Sequence, residues 1–149
     1  MTSSEGFSVR TGHESAAELP LDRHRGREVA QAWESLLRIR RLAQPERAEV
    51  PAAWERAQPM RAVSLALEAA GVAFCSVEQD AVVTSGVQLR QEGRGQVRVV
   101  WRYRRGHRPP DNGEADLAAA ARALGEAGWD ALLYRAGRER YLLVAPAGA

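Results

Sequence analysis

The chain has 149 residues, the size of one domain, and its 45% hydrophobic and 27% charged residues are typical of a soluble globular protein. The net charge is +2, no apolar run could span a membrane, and the lone cysteine, Cys75, excludes an intramolecular disulfide framework or a cysteine-rich zinc site. Residues 1–7 lack the basic and apolar stretches of a signal peptide, so we expect a cytoplasmic protein with no membrane role.

The N-terminal part predicts a tail followed by a helix. Residues 1–20 mix small, polar and charged side chains without an apolar period, so we expect a disordered tail. A helix is predicted from Asp22, a suitable N-cap, to Ala43, shortly before Pro45. Apolar side chains three or four residues apart form one stripe along it: Val29, Trp33, Leu36 and Leu37. This stripe packs either on the core or on a partner.

A second helical stretch runs from Pro51 to Ala70 and is interrupted by Pro59. Proline lacks a backbone N–H and disfavours helical geometry at the residue before it. The pattern therefore predicts a break at Gln58 and a firm helix from Pro59 onward. Gly71 then ends the helix.

Three strands are predicted next, over Val72–Glu78, Val82–Arg90 and Gln96–Arg104, with Gly93 and Gly95 marking a hairpin turn. The third strand alternates between an apolar side and a basic side. Its two faces are Val97, Val99, Trp101 and Tyr103, against Arg98, Val100, Arg102 and Arg104. By this alternation the aromatic side chains belong to the core and not to a surface on which bases could stack.

The last part predicts a helix and a second hairpin. Asp111 and Glu114 have the spacing of an N-cap and its capping-box partner, and the helix extends to Ala127 before Gly128. Two strands follow around a glycine-first turn that favours type II′ geometry. These segments are Trp129–Ala136, Gly137-Arg138 and Glu139–Val144.

Together the elements predict an α+β fold in the order α-α-β-β-β-α-β-β. We expect an antiparallel sheet of about five strands with two or three helices packed on one face. The domain is residues 21–146, with a helical part (22–70) and a sheet-rich part (71–146). Residues 67–71 weakly echo residues 124–128, each time before a strand. The echo indicates either a duplicated helix–strand–strand unit or the ordinary end of a helix at glycine.

One segment concentrates the positive charge. All 21 basic residues are arginine, and residues 90–108 hold seven of them against one acid, Glu92, a balance of +6. They are Arg90, Arg94, Arg98, Arg102, Arg104, Arg105 and Arg108. If no helix covers them, they form a surface for phosphates or an acidic partner. Alternatively, they form a solvated strand face balanced by Glu114 and Asp116 or by the acids of the first helix.

The sequence gives little support for nucleophilic catalysis, metal binding or nucleotide binding. Cys75 lies mid-strand among apolar residues and is predicted to be a core residue. The histidines, His13, His24 and His107, do not group with each other or with carboxylates. A phosphate-binding loop of the Walker type needs a lysine, which the chain lacks. We therefore expect no cofactor, no metal site and no catalytic residue.

Two stretches resemble known folds. From Pro59 to Ala127 the order α-β-β-β-α is similar to a double-stranded-RNA-binding domain, in which a lysine-rich motif opens the last helix and grips phosphates. Residues 111–116 stand in that place and are acidic, so RNA binding does not carry over. Residues 124–141 resemble a small toxin fold that cuts messenger RNA with a histidine on its second strand, but no histidine follows His107.

Three functions remain. The first is a small cytoplasmic, non-enzymatic regulatory protein that acts through protein–protein contacts. The second is a nucleic-acid-binding protein that uses the arginines of residues 90–108. The third is an enzyme with a site assembled from His107, Arg108 and Asp111, which lack a recognisable nucleophile and base. The lysine-free composition, rich in alanine and arginine, resembles that of actinobacterial proteins, including some carried on mobile elements.

Overall fold

The computed structural model describes residues 8–18 and 24–148. The helices are α1 (Arg25–Ala43), α2 (Ala53–Ala57), α3 (Pro59–Ala69) and α4 (Glu114–Glu126), with a short 3-10 turn at Pro45–Arg47. The strands are β1 (Ser76–Glu78), β2 (Ala81–Thr84), β3 (Gly86–Glu92), β4 (Gln96–Arg102), β5 (Trp129–Ala136) and β6 (Glu139–Pro146). The predicted α+β class and the order of helices and strands are confirmed.

Four strands form one antiparallel sheet in the order β3-β4-β6-β5, and β1 and β2 form a separate hairpin. Helices α3 and α4 pack on one face of the larger sheet, and α1 packs against α3. The predicted placement of helices on one face is therefore correct. The strands divide between two sheets because the second predicted strand is interrupted.

The chain repeats a helix–strand–strand unit in space. The first unit is α3, β3 and β4, and the second is α4, β5 and β6. The two hairpins join through their second strands, which run antiparallel with Val97 opposite Val144 and Val99 opposite Leu142. The β1–β2 hairpin is an insertion into the first unit. The weak sequence echo at the ends of the two helices thus coincides with a repeat in topology.

The main core lies between the larger sheet and helices α3 and α4. Val97 and Val99 of β4 are fully buried there, and Trp101 is half-buried against the same cluster. Trp129 of β5 is the largest fully buried side chain of the described residues. Because side chains alternate along a strand, this arrangement leaves Arg98 and Arg102 on the opposite face, as predicted.

Helix α1 is attached through its predicted apolar stripe. Val29 and Leu36 are buried against Leu65 of α3, while Trp33 and Leu37 lie half-buried around them. These four side chains therefore face the interior while α1 is docked. The helix begins after His24, and the predicted N-cap, Asp22, lies outside the described residues.

A buried ion pair ties α1 to two other parts of the molecule. The Arg40 guanidinium donates to both carboxylate oxygens of Glu55, at 2.8 and 2.7 Å, and to the carbonyl oxygen of Ala127 at 2.8 Å. The side chains are only 2% and 0% exposed. Glu55 also accepts from the backbone N–H of Ala52. The pair joins α1, α2 and the end of α4, so Arg40 holds the fold together.

The predicted strand Val82–Arg90 is two strands, β2 and β3, in different sheets. The preceding chain crosses so close to Gly86 that a Cβ there would lie 2.5 Å from the carbonyl carbon of Phe74. Val87 exchanges backbone hydrogen bonds with this crossing segment, donating to Ala73 and accepting from Cys75. Periodicity in one strand does not reveal such a crossing, because the crossing depends on residues about twelve positions earlier.

Part of the predicted tail has defined contacts. Residues 11–13 lie along the outer edge of β3, where the N–H of Leu89 donates to the carbonyl oxygen of Thr11 at 2.7 Å. Gly12 is buried there with φ +89°, and a Cβ would collide with the carbonyl oxygen of Val87. A free strand edge offers backbone hydrogen bonds that composition does not show, so the sequence did not indicate this placement. Residues 1–7, 19 and 20 of the predicted tail lie outside the described ranges.

Candidate functional site

The face of the four-stranded sheet opposite α3 and α4 is open. No helix of the described residues packs on it. Arg90 and Arg102 on it are exposed, and Leu132 and Tyr134 retain 60% and 40% of their exposure. The requirement that the arginine segment be uncovered is thus met.

A cleft of about 530 Å³ opens on this face along β4 and the loop that follows it. It is bordered by backbone and side chains of β3, β4, β6 and residues 103–108. Its arginine lining consists of Arg90, Arg98, Arg102, Arg104, Arg105, Arg108 and Arg140. We call these seven residues with their cavity the arginine cleft. Six were predicted from the sequence.

The arginine segment has few internal partners. Its one ion pair within the described residues joins Arg98 to Glu92, at 3.1 Å. Arg102 donates to the side-chain oxygen of Gln88, a neutral acceptor. Arg90 and Arg105 make no ion pair or side-chain hydrogen bond within residues 8–18 and 24–148. Of the seven cleft arginines, Arg98 pairs with Glu92 and Arg140 pairs with Glu114. The other five have no carboxylate partner within the described residues, although Glu139 also lines the cleft.

Glu114 and Asp116, the acids expected to balance residues 90–108, contact other side chains. Glu114 accepts from Arg135 at 2.7 Å and from Arg140 at 2.6 Å. These two guanidinium groups lower the pKa of Glu114 to about 2. Asp116 accepts a hydrogen bond from the Tyr103 hydroxyl at 2.5 Å. Within the described residues, neither acid therefore forms an ion pair with an arginine of residues 90–108.

A stacked row of side chains crosses the open face. Arg98 lies over the ring of Tyr141, 4.0 Å from its centroid. Tyr141 stacks in turn on Tyr134, with centroids 5.4 Å apart and ring planes 10° from parallel. With Glu92 paired to Arg98, the row Glu92, Arg98, Tyr141, Tyr134 spans all four strands. Both faces of the Tyr141 ring are therefore occupied within the chain.

Arg98 has hydrogen-bonding capacity to spare. One of its terminal nitrogens reaches Glu92, but its Nε is buried and has no acceptor within the described residues. A buried donor without an acceptor costs roughly 1–3 kcal/mol. An oxygen brought into the cleft by a ligand could satisfy this donor.

The half of the open face formed by β5 and β6 differs in character. It presents Leu132, Tyr134 and the half-buried Leu143. Two carboxylates, Asp130 and Glu139, flank these side chains. The open face is therefore basic on its β3–β4 side and apolar with acidic flanks on its β5–β6 side.

Two arginines do not follow the sequence prediction. Arg94 lies in the β3–β4 turn and borders a different, shallow depression. Arg140 was not predicted, yet it borders the arginine cleft because β6 lies beside β4, although its guanidinium turns to Glu114 of α4. The pairing of β6 with β4 is a long-range contact, and no local pattern around Arg140 indicates it.

The alternative enzyme residues make three separate contacts. Asp111 accepts from the backbone N–H groups of Gly113 and Ala115 and so caps α4, although Glu114 does not complete the predicted capping box. Arg108 donates to the carbonyl oxygen of Arg138. The Nε2 atom of His107 lies 2.9 Å from a terminal guanidinium nitrogen of Arg104.

Other candidate groups have structural surroundings. Cys75 is fully buried, and this burial raises the pKa of its thiol. Within the described ranges, no group of three or more metal-ligating side chains converges. In the same part of the chain, no helix is both long and apolar enough to cross a membrane.

The comparisons with known proteins yield no relative. No protein-family model matches the chain, and no significant match was found among the curated proteins or among the solved structures. Function must therefore be argued from the site itself.

Proposed function

We propose that this chain is a non-enzymatic binding protein whose open sheet face holds an acidic segment of a partner protein. The observation that carries the proposal is that five of the seven cleft arginines have no carboxylate partner within the described residues. Guanidinium groups present paired N–H donors that match the two oxygens of a carboxylate. Binding without catalysis suits a regulatory role.

The second half of the face specifies the partner further. Leu132 and Tyr134 are exposed beside the cleft, and exposed apolar and aromatic side chains next to arginine are typical of the centres of protein interfaces. A segment with acidic residues followed by apolar residues would contact both halves of the face. The acids would enter the cleft, and the apolar residues would cover Leu132 and Tyr134.

Nucleic-acid binding is the second candidate, because the same unbalanced arginines could bind phosphates. Two observations favour a protein. Proteins that bind single strands stack bases on free aromatic faces, whereas the Tyr141 ring is held between Arg98 and Tyr134. In addition, Asp130 and Glu139 lie on the same face and would repel a phosphate backbone that continued beyond the cleft.

The decisive experiment compares two double charge reversals of equal size. Arg102→Glu/Arg105→Glu changes the cleft, and Arg41→Glu/Arg122→Glu changes exposed arginines on α1 and α4. Fluorescent poly-L-glutamate and short single-stranded and duplex DNA serve as probes in anisotropy titrations. Losing two charge-assisted hydrogen bonds, roughly 1.5–3 kcal/mol each, should weaken poly-L-glutamate binding at least tenfold in the cleft variant. The control variant should bind as the wild type does.

The results separate the candidates. If the wild type binds DNA at near-physiological salt, log affinity should fall with log salt concentration at a slope of roughly −3 to −4, and this slope should be flatter in the cleft variant. That result would favour nucleic acid over an acidic protein as the partner. Equal weakening in both double variants would show that net charge, and not the cleft, binds the probes, and would contradict both. Thermal unfolding of the two variants should match the wild type, because these side chains are exposed.

A further inference from the structure

One outer edge of the larger sheet is covered by other parts of the chain, and the other edge is not. Residues 11–13 cover the edge of β3 at Leu89, and residues 73–75 cover it at Val87; Gln88 also donates from its side chain to Gly12. No described residue pairs with the outer edge of β5. An uncovered strand edge is a template for another strand.

Strand β5 is a regular template. All eight of its residues pair with β6 without a bulge, and it contains no proline. Hydrogen-bonded pairs alternate along an antiparallel ladder, and the N–H of Ala147 donates to the carbonyl oxygen of Gly128. Pro146, which has no N–H, stands opposite Trp129. The backbone groups that turn away from β6 therefore belong to Ala131, Leu133 and Arg135.

The side chains of β5 complement a second, antiparallel copy of the same strand. With Leu133 opposite Leu133, the outward backbone groups of the two copies face each other. Leu132 of each copy then lies opposite Tyr134 of the other, so these side chains contact each other across the junction and their outer sides stay on the open face. Asp130 of each copy lies opposite Ala136 of the other, and Arg138 in the turn is its diagonal neighbour, within reach of a long side chain. Within the described residues Asp130 and Arg138 make no ion pair in one chain.

We propose that β5 is a self-association edge, at which two copies of the chain join their sheets into one continuous antiparallel sheet. This inference rests on the free edge and its self-complementary charges; it shares Leu132 and Tyr134 with the proposed partner surface but uses none of the cleft arginines. A single pair of edge strands is a small interface, so we expect a reversible dimer in the micromolar range.

Sedimentation velocity of the full chain over a range of micromolar concentrations tests the proposal. Leu132→Lys should shift the dimer to monomer, since it places like charges at the edge. Leu42→Lys is the matched control, because Leu42 is 77% exposed on α1, far from β5 in the chain. Ala131→Pro removes an outward N–H without removing a bond to β6, and it should weaken the dimer at least tenfold.

A charge exchange identifies the occupant of the edge. Asp130→Arg should weaken association, and Asp130→Arg/Arg138→Asp should restore it, because only a second copy contributes both changed residues. A chain that stays monomeric at the highest concentration overturns the proposal. So does a dimer that is unchanged in Leu132→Lys and Ala131→Pro.

Discussion

The β3–β4 and β5–β6 hairpins occupy equivalent places in the repeated topology but use their arginines in opposite ways. Arg135 and Arg140 of the second hairpin both donate to Glu114. The first hairpin leaves Arg90 and Arg102 without a carboxylate partner in the described chain. The hairpins also differ at their outer edges. The N-terminal segment within residues 8–18 covers the edge of β3, whereas no described residue pairs with the outer edge of β5. Arg135 and Arg140 thus hold the fold, although Arg140 also borders the cleft, whereas Arg90 and Arg102 remain available for binding.

The largest loss of stability should follow the substitution of Arg40, an arginine that holds the fold. Arg40→Met leaves the Glu55 carboxylate buried without its partner, which should lower the free energy of unfolding by about 3–5 kcal/mol. Urea denaturation measures this change. Arg41→Met is the matched control, because Arg41 is the exposed neighbour on α1. Arg40→Met/Glu55→Leu should recover much of the loss. If Arg40→Met is as stable as the wild type, the structural role of Arg40 is refuted.

A smaller effect is expected where the chain covers β3. Gly12→Ala forces a side chain into a left-handed conformation, at about 1–2 kcal/mol, and into the Val87 carbonyl. Residues 8–18 should then detach, so the amide of Leu89 should exchange faster with solvent. Gly26→Ala, at a helical site with open space around it, should leave this exchange unchanged. If the Leu89 amide stays protected in Gly12→Ala, the β3 edge does not depend on this segment.

The smallest effect concerns the second hairpin and depends on pH. The pKa of Glu114 falls from 4.5 to about 2 on folding, so its ion pairs stabilise the fold above pH 4.5 and are lost as the pH drops toward 2. The Tm of Glu114→Gln should therefore lie below that of the wild type at neutral pH, and the two should converge in acid. Because Arg135 is exposed, added salt should screen its pair with Glu114 and narrow the difference in Tm. Glu126→Gln, an exposed position on α4, should show no such trend.

Local signals predicted the elements well and the site in part. Pro59 separates α2 from α3, Gly137-Arg138 joins β5 to β6, and the alternation of residues 97–101 gives the two faces of β4 correctly. These features depend on neighbouring residues. The crossing at Gly86 and the approach of Arg140 to the cleft depend on strand pairing between distant segments. A periodic pattern gives each strand its faces but not its neighbours.

The buried thiol of Cys75 is a natural probe of local opening. Cys75 lies in the segment that crosses Gly86, and it is the chain's one cysteine. Because the thiol is buried, a reagent labels Cys75 when the crossing segment opens or when the whole domain unfolds. The crossing segment joins α3 to the first hairpin, whereas the second hairpin follows α4 directly at Gly128. Labelling that is faster than global unfolding therefore reports on the loosening of the first repeat.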